Sequence, residues 1–368
     1  MTLTGDADIL CEIRGALAVV TLNRPAVLNA LSLEMIHGLR STLRDCAQDS
    51  RVRAVLIQGA GGKAFCAGGD IRALYQSVRS GGTLHHRFFP AEYPLDYLLY
   101  SYPKPYIALL DGITMGGGLG IAQGSRLRVV GERTRIAMPE VGIGLFPDVG
   151  GSYFLSRLPG ALGIYLALTG SPIHAVDAVY VGLADVYVPA ESTQSIARSL
   201  ESLDWTDDAH ADAGRALGAL APQELPEAPL SALRSGIDAH FAEPTVRAIL
   251  AALSQERRPE FAAWAQQTAA LIMTRSPTML AVTLRQLQRG RSMSLADCFR
   301  MELNMVQQCF IQGDFLEGVR AMIIDKDNSP RWMPSRIEDL TEDAVEAFFK
   351  EQWPRGAHPL ANLEHESL

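Results

Sequence analysis

The fold of this chain is decided by residues 107–151, IALLDGITMGGGLGIAQGSRLRVVGERTRIAMPEVGIGLFPDVGG. The apolar run at 107–110 predicts a buried strand, and the triple glycine at 116–118 predicts a tight turn into a helix. The first turn of a helix leaves backbone amides without acceptors, and glycine lets a ligand oxygen approach them closely. Tight packing is an alternative explanation for an isolated triple glycine. Two acids, Glu140 and Asp148, follow in apolar surroundings.

A second glycine-bearing loop, GAGGKAFCAGGDIR at 59–72, favours a functional interpretation of the first. It follows the apolar strand pattern at 52–57 and precedes a helix pattern with Leu74, Tyr75 and Val78 on one face. The chain can therefore supply two separate backbone N–H donors. Two donors that converge on one carbonyl oxygen form an oxyanion hole, which stabilises the negative charge of an acyl-transfer intermediate.

The sequence resembles the crotonase (enoyl-CoA hydratase/isomerase) superfamily in four stretches that keep the family's order and spacing. They are VVTLNRPAVLNALS at 19–32, KAFCAGGDIR at 63–72, KPYIALLDGITMGGGLG at 104–120 and AMPEVGIGLFPDVGG at 137–151. The resemblance implies an α/β fold, a crotonase-like ββα spiral core with a helical C-terminal region. It also implies that Gly69 and Gly117 donate the oxyanion hydrogen bonds, and that coenzyme A lies along 24–28 and along Gly69, Asp70, Ile71 and Arg72.

Within that superfamily the chain is most similar to the 3-hydroxyisobutyryl-CoA hydrolases, in GLFPDVGG at 144–151, EYPLDY at 92–97 and DFLEGVRAMIIDKDNSPRW at 314–332. Enoyl-CoA hydratases carry a catalytic glutamate just after the triple glycine, where this chain has Gly120. Their second glutamate matches Glu140, and Asp148 stands where hydratases usually have glycine. One acid is missing and another is added, which predicts different chemistry on the same acyl-CoA scaffold.

The expected reaction is hydrolysis of the thioester of a short 3-hydroxyacyl-CoA, above all 3-hydroxyisobutyryl-CoA, to 3-hydroxyisobutyrate and CoA in valine breakdown. Glu140 would activate water as a general base or attack the carbonyl directly. Asp148 would bind the 3-hydroxyl or position water, unless it is only a helix N-cap. Glu92 would touch the substrate by resemblance, whereas by itself it suits a helix N-terminal acid.

Two other functions stay open at this point. The chain could be an enoyl-CoA hydratase or isomerase with Glu140 as its main acid, or a non-catalytic acyl-CoA-binding protein that keeps the fold. No cofactor is expected, because coenzyme A is part of the substrate. A homo-oligomer, a trimer or hexamer, is implied by the superfamily.

Composition bounds the partners and the location. The 368 residues are 48% hydrophobic and carry a formal net charge of −8, which gives no general attraction to nucleic acid. An anionic coenzyme A would need local cations, for which Arg24, Lys63, Arg72 and Lys326 are candidates, each also explicable as a solvated charge. Five cysteines, an odd number, show no metal-ligand spacing, so no metal is expected. No targeting or membrane-spanning segment is visible, and the prediction is a cytoplasmic protein that binds no membrane.

Strand and helix patterns alternate through residue 130, which predicts βαβ units and a largely parallel sheet. Residues 80–105 contain four prolines and predict a mobile flap with a short helix at 93–100. The region after 189 is rich in amphipathic helix patterns. The predicted boundaries are a core with the acyl-CoA site at 1–190 and a mainly helical region at 191–368 that covers the site or mediates assembly. The helix patterns of the second region lie at 195–203, 230–241, 246–253, 261–273, 279–288 and 295–310.

Overall fold

Two β-sheets form the centre of the protein in the computed structural model, which describes residues 2–3, 8–312, 314–354 and 356–365. Seven strands form one sheet in the order β1-β2-β3-β4-β6-β8-β11, and four form a second in the order β10-β9-β7-β5. The strands are β1 Thr2–Leu3, β2 Ile9–Arg14, β3 Leu17–Leu22, β4 Ala54–Gly59, β5 Ala64–Cys66, β6 Tyr106–Leu109, β7 Ile113–Met115, β8 Leu127–Val130, β9 Arg135–Ala137, β10 Ile173–His174 and β11 Val186–Tyr187.

Helices surround the sheets and make up nearly all of the regular structure after β11. The α-helices are α1 Leu33–Gln48, α2 Ile71–Arg79, α3 His85–Leu99, α4 Gly117–Gln123, α5 Gly151–Phe154, α6 Leu162–Thr169, α7 Ala175–Val181, α8 Ala190–Thr193, α9 Ile196–Glu201, α10 Ala209–Gly218, α11 Pro229–Phe241, α12 Val246–Ser254, α13 Pro259–Ile272, α14 Pro277–Gly290, α15 Leu295–Gln312, α16 Asp314–Val319 and α17 Glu342–Glu346. A 3₁₀ turn at Glu140–Gly142 and a π-helical turn at Arg320–Ile324 matter for the site. No described helix is long and apolar enough to span a bilayer.

The large sheet is parallel from β3 to β11 and antiparallel from β1 to β3. Strands β4 and β6 read AVLIQG and YIAL, and their apolar residues are buried on both faces, as in parallel sheets covered by helices. The α/β fold and its parallel sheet predicted from the sequence are therefore confirmed. The small second sheet was not predicted, because its strands have only two or three residues and show no readable alternation.

The segment at 80–105 differs from the prediction. It contains a 15-residue helix, α3, whose buried residues include Phe88, Phe89 and Tyr93. The mobile flap with a short helix was therefore wrong. Pro90 and Pro94 each remove a helical N–H donor, but burial of these aromatic side chains stabilises the helix more than the lost hydrogen bonds weaken it.

The C-terminal helices pack on the spiral core rather than beside it. One buried hydrophobic cluster includes Val20 and Leu110 from the sheet together with Phe299 and Phe348 from the C-terminal half. All six helices predicted after residue 195 are present, and α10, α16 and α17 were missed. The boundary at residues 190 and 191 stays a prediction.

Candidate active site

Two glycine loops meet where the sequence predicts an oxyanion hole. Residues 28–31 run alongside 67–70, since the Leu31 amide donates to the Gly68 carbonyl at 2.8 Å and the Asp70 amide donates to the Leu31 carbonyl at 2.9 Å. A methyl group added to Gly117 would lie 3.4 Å from the Gly69 nitrogen, and one added to Gly68 would lie 3.4 Å from the Gly117 nitrogen. The loops that follow β5 and β7 therefore touch through backbone atoms alone.

The amides of Gly69 and Gly117 donate to no acceptor within the residues that the structure describes. Gly117 opens α4, so its amide belongs to the first helical turn, which has no intrahelical acceptor. Gly116 has φ +49° and lies immediately before the helix, where a side chain would be strained. Two adjacent, unpaired donors are the requirement for holding one carbonyl oxygen.

Glu140 is directed toward the same glycines. It begins the 3₁₀ turn Glu140–Gly142 after β9, and its Oε1 lies 2.9 Å from the position of a methyl group on Gly116. Its Oε2 is buried and has no hydrogen-bond partner among the described residues. The carboxyl group is therefore beside the oxyanion donors and has an oxygen available for a substrate or water.

Glu92 approaches from the other side, on the eighth residue of α3. Its Oε1 lies 2.5 Å from the position of a methyl group on Gly117, and that oxygen is buried without a hydrogen-bond partner in the described chain. This position excludes the helix N-terminal acid that the sequence alone suggested. Only a glycine at 117 leaves room for Glu92 and a ligand oxygen together.

Asp148 completes the group. Its Oδ2 accepts a hydrogen bond of 2.7 Å from the hydroxyl of Tyr93, one residue after Glu92 on α3. It lies before the left-handed residues Val149 (φ +51°) and Gly150 (φ +86°), which turn the chain into α5. The structure therefore brings together Gly69, Gly117, Glu92, Glu140 and Asp148.

The acids of this site are buried close to one another, and each is less than 10% exposed. Burial, with the nearby charge of Asp148, raises the pKa of Glu92 and of Glu140 well above the ordinary value. Burial raises the pKa of Asp148 to about 6, although the Tyr93 hydrogen bond lowers it in part. At neutral pH Asp148 is thus the acid that carries the charge, while the raised pKa values of Glu92 and Glu140 suit proton transfer.

Side chains from the C-terminal half hold the Asp148 loop. The carboxylate of Glu302 on α15 accepts 2.8 Å hydrogen bonds from the amides of Gly150 and Ser152. Gln286 on α14 donates from Nε2 to the Pro147 carbonyl at 2.6 Å and to the Ser152 hydroxyl at 2.8 Å. Val149 is a β-branched residue in left-handed backbone, a conformation that persists only when neighbours fix it.

Glu302 should make stability depend on pH. Burial raises its pKa from 4.5 to about 8, so the folded protein keeps a proton that the unfolded chain loses above pH 4.5. The stability it contributes is fully present below pH 4.5 and is lost as pH rises to about 8. Relative to Glu302→Gln, which stays neutral, the unfolding free energy should fall by up to about 1.4 kcal/mol per pH unit in that window. Urea unfolding of both proteins across the window measures it, and a constant difference would contradict the assignment.

The remaining predicted contacts do not join the acyl site. Asp70 caps α2 by accepting from the Ala73 amide at 3.1 Å and pairs with Arg24 at 3.1 Å. Arg72 donates to the Ile323 carbonyl at 2.9 Å, and Ile71 is the first residue of α2. Their side chains fasten the loop that carries Gly69, and coenzyme A contacts by Asp70, Ile71 and Arg72 stay predictions.

The predicted phosphate ligands are dispersed. Arg24 also faces Asp8 at 3.5 Å and donates to the Ala30 carbonyl at 2.7 Å, so its charge is already neutralised by two acids. Lys63 and Lys326 lie exposed on separate loops. Among the described residues, no group of His, Cys, Asp and Glu side chains has the geometry of a metal site. The five cysteines, all within the described ranges, are buried and form no disulfide.

Sequence reasoning missed Tyr93, Asp96 and Glu302, which all lie near Asp148 or Glu92. Asp96 follows Glu92 by four residues, so helical spacing in EYPLDY could have indicated it. Glu302 carried no such signal, because its partners Gly150 and Ser152 are 152 and 150 residues away.

Known proteins resemble this chain over nearly its full length. The model of the enoyl-CoA hydratase/isomerase family matches residues 17–349. Three curated relatives are named 3-hydroxyisobutyryl-CoA hydrolase, mitochondrial: from Danio rerio (41% identical, covering 95% of this chain and 91% of that protein), Rattus norvegicus (42%, 94% and 90%) and Homo sapiens (38%, 93% and 88%). These relatives contradict the predicted cytoplasmic location, since all three are mitochondrial proteins.

Solved structures agree on the fold. A carnitinyl-CoA dehydratase from Mycobacterium thermoresistibile superposes with a TM-score of 0.87 at 40% identity, covering 96% of this chain and 98% of that one. An enoyl-CoA hydratase from Rhodobacter sphaeroides 2.4.1 has a TM-score of 0.84 at 36% identity, with 94% and 98% covered. Both the sequence match and the structural match extend through the C-terminal helices as well as the spiral core. The chain therefore belongs to the enoyl-CoA hydratase/isomerase family.

Proposed function

We propose that this protein hydrolyses the thioester of 3-hydroxyisobutyryl-CoA to 3-hydroxyisobutyrate and coenzyme A. The observation that carries the proposal is a buried pair of acids, Glu140 and Asp148, beside two unpaired glycine amides. The names of the curated relatives, at about 40% identity over nearly the whole chain, support the same reaction.

The thioester carbonyl is proposed to accept hydrogen bonds from the amides of Gly69 and Gly117. As the carbon becomes tetrahedral, its oxygen gains negative charge, and fixed donors stabilise that charge more than the neutral carbonyl. Glu92 lies against Gly117, where an ionised carboxylate would repel the oxyanion. Its raised pKa keeps it protonated, so it can donate to a substrate oxygen instead.

Glu140 is proposed to deliver the attacking oxygen. Once deprotonated, a carboxylate with a raised pKa is a stronger base than an exposed one, which suits removal of a proton from water. The same oxygen could attack the carbonyl and form a mixed anhydride that water then opens. Asp148, held by Tyr93, is proposed to bind the 3-hydroxyl of the substrate or the attacking water. Protein groups and water suffice for these steps, so the only coenzyme we propose is the one carried by the substrate.

Hydration, the second candidate, requires an acid at position 120, and this position is obstructed. A methyl group on Gly120 would lie 2.6 Å from Cβ of Val149 and 3.1 Å from Oδ2 of Asp96. Any side chain there would therefore displace Val149 or Asp96. The two solved relatives named as a dehydratase and a hydratase share the fold, but a glutamate cannot be accommodated at Gly120 without moving the Asp148 loop.

A pair of assays tests the proposal on the unmodified protein. With 3-hydroxyisobutyryl-CoA, a thiol reagent should report steady release of free coenzyme A. With crotonyl-CoA, the absorbance of the conjugated double bond should change at least 100-fold more slowly, on the order of the effect of one missing general acid or base. Fast hydration without thiol release would replace the hydrolase by the hydratase, and inactivity in both assays would favour an acyl-CoA-binding protein.

Two finer points accompany this function. A role in valine breakdown follows from the proposed substrate, and we propose it on that ground alone. Assembly into a homotrimer or hexamer, as the superfamily resemblance implies, is also proposed, and sedimentation velocity would measure it. A single monomeric boundary at micromolar concentration would contradict the assembly without affecting the reaction.

A further inference from the structure

Three polar side chains follow one another along α3 at four-residue spacing: Glu92, Asp96 and Tyr100. Residues four apart on a helix lie one above the other on the same face, with about 5–6 Å between their Cβ atoms. Within the described chain, Oε1 of Glu92, both carboxyl oxygens of Asp96 and the hydroxyl of Tyr100 are buried without hydrogen-bond partners. Buried polar atoms nearly always have partners, so a continuous row of exceptions requires an explanation.

The row runs from the acyl site to the far end of the helix along glycine backbone. Glu92 lies at Gly117, Oδ2 of Asp96 lies 3.1 Å from the position of a methyl group on Gly120, and the Tyr100 hydroxyl lies 3.7 Å from that on Gly150. Tyr100 also lines a cavity of about 170 Å³ together with Lys104, Arg126 and His210. The last member of the row thus borders space beyond the core.

Asp96 faces groups that oppose its ionisation. It is fully buried, and the groups that interact with it electrostatically are acids, phenols and a thiol from α3, the Asp148 loop, α15, β6 and β5. Burial, with the charges of these acids, raises the pKa of Asp96 well above its ordinary value. A protonated carboxyl can accept a proton on one oxygen while it donates from the other. The facing groups are Glu92, Tyr100, Asp148, Glu302, Tyr106 and Cys66.

Thioester hydrolysis must dispose of a proton. Water adds its oxygen to the acyl carbon, the C–S bond breaks, and the thiolate takes one proton of the water. The carboxylic acid product then ionises, so each turnover releases one proton. In this site the reacting groups are buried, and bound coenzyme A would occupy the entrance.

We infer that Glu92, Asp96 and Tyr100 form a proton relay from the acyl site to the cavity at the end of α3. Glu92 accepts the proton on one oxygen and releases its own to Asp96 from the other. Asp96 in turn accepts on one oxygen and donates to the Tyr100 hydroxyl, which passes its proton to water in the cavity. One proton enters, one leaves, and each group regains its starting state. The relay rests on the proposed hydrolysis.

Isosteric variants test the relay. Asp96→Asn and Tyr100→Phe keep the shape of the core but remove a transferable proton, so each should lower kcat about 100-fold, the lower end for proton-transfer steps, with KM unchanged. The solvent deuterium isotope effect on kcat should rise in both. Imidazole, a small proton carrier, should partly restore kcat in Asp96→Asn, which a merely structural role of Asp96 would not produce. Tyr97→Phe, on the same helix with a half-buried ring, is the matched control and should behave as the unmodified protein.

The outcomes separate the relay from the hydrolase assignment. If the unmodified protein releases no thiol from 3-hydroxyisobutyryl-CoA, the proposed function fails. If it does, and both variants keep normal kcat, only the relay fails. A lowered kcat without imidazole rescue or an isotope effect would give Asp96 a packing role and also overturn the relay. Tyr100→Phe removes an unpartnered hydroxyl and should fold normally, so it decides the question even if Asp96→Asn does not fold.

Discussion

Glu140→Gln should lower kcat for thioester hydrolysis by about 10²- to 10⁴-fold, the range for losing a general base. Glutamine keeps the shape of the side chain, but its amide nitrogen cannot take a proton from water and its oxygen is a poor nucleophile. Because the replaced group is buried with a raised pKa, the variant should fold at least as well as the unmodified protein. Thiol release under saturating substrate measures the effect.

Asp177→Asn provides the control for that result. Asp177 is also a buried acid, but it accepts a hydrogen bond from the Leu230 amide on α11, away from the glycine loops, so its replacement should leave kcat unchanged. In the unmodified protein kcat should rise with pH as Glu140 loses its proton, and this dependence should vanish in the variant. Undiminished turnover of Glu140→Gln would remove Glu140 from the mechanism. In ¹⁸O-water, label found in Glu140 after turnover would identify its carboxylate as the nucleophile.

Gly117→Ala should reduce kcat by about 100- to 1,000-fold, the cost of losing one oxyanion donor. The added methyl group would lie 2.5 Å from Oε1 of Glu92 and 3.4 Å from the Gly69 nitrogen, in the space where the substrate oxygen would bind. Glu92 must then move, and the two amides can no longer hold the same oxygen. Steady-state thiol release, with KM measured separately, tests this expectation.

Gly214→Ala is the matched glycine substitution for this test. Gly214 lies within α10, and a methyl group there would meet no atom within 4 Å. Alanine should therefore leave activity intact and stabilise the helix by about 0.5–1 kcal/mol. If Gly117→Ala retained full kcat with an intact fold, the oxyanion hole would have to be placed elsewhere.

The oxyanion loops could be predicted because the information is local. Each glycine run directly follows one strand and precedes one helix, so the amides of Gly69 and Gly117 were identifiable from spacing and resemblance together. Glu140 was found in the same way, since it follows β9 after a single proline. The parallel sheet was readable from the apolar runs of its central strands.

The rest of the site depends on contacts between distant segments. The Tyr93 and Asp148 side chains are 55 residues apart, and the helix that carries Tyr93 was obscured by its prolines. Arg24 seemed available to a phosphate, but its pairing with Asp70 spans 46 residues and has no sequence signature. The unpartnered oxygens of Asp96 required knowledge of burial, which spacing alone does not supply.

The hold of Gln286 and Glu302 on the Asp148 loop has a consequence for how the protein is made. Their partners lie 139 and 152 residues earlier, and a ribosome releases the N-terminal part first. The strands, both glycine loops and Glu140 therefore emerge while the residues that secure Asp148 are not yet synthesised. A nascent chain cannot finish its acyl site until α15 has left the exit tunnel, so partly translated copies should bind no acyl-CoA in a productive way.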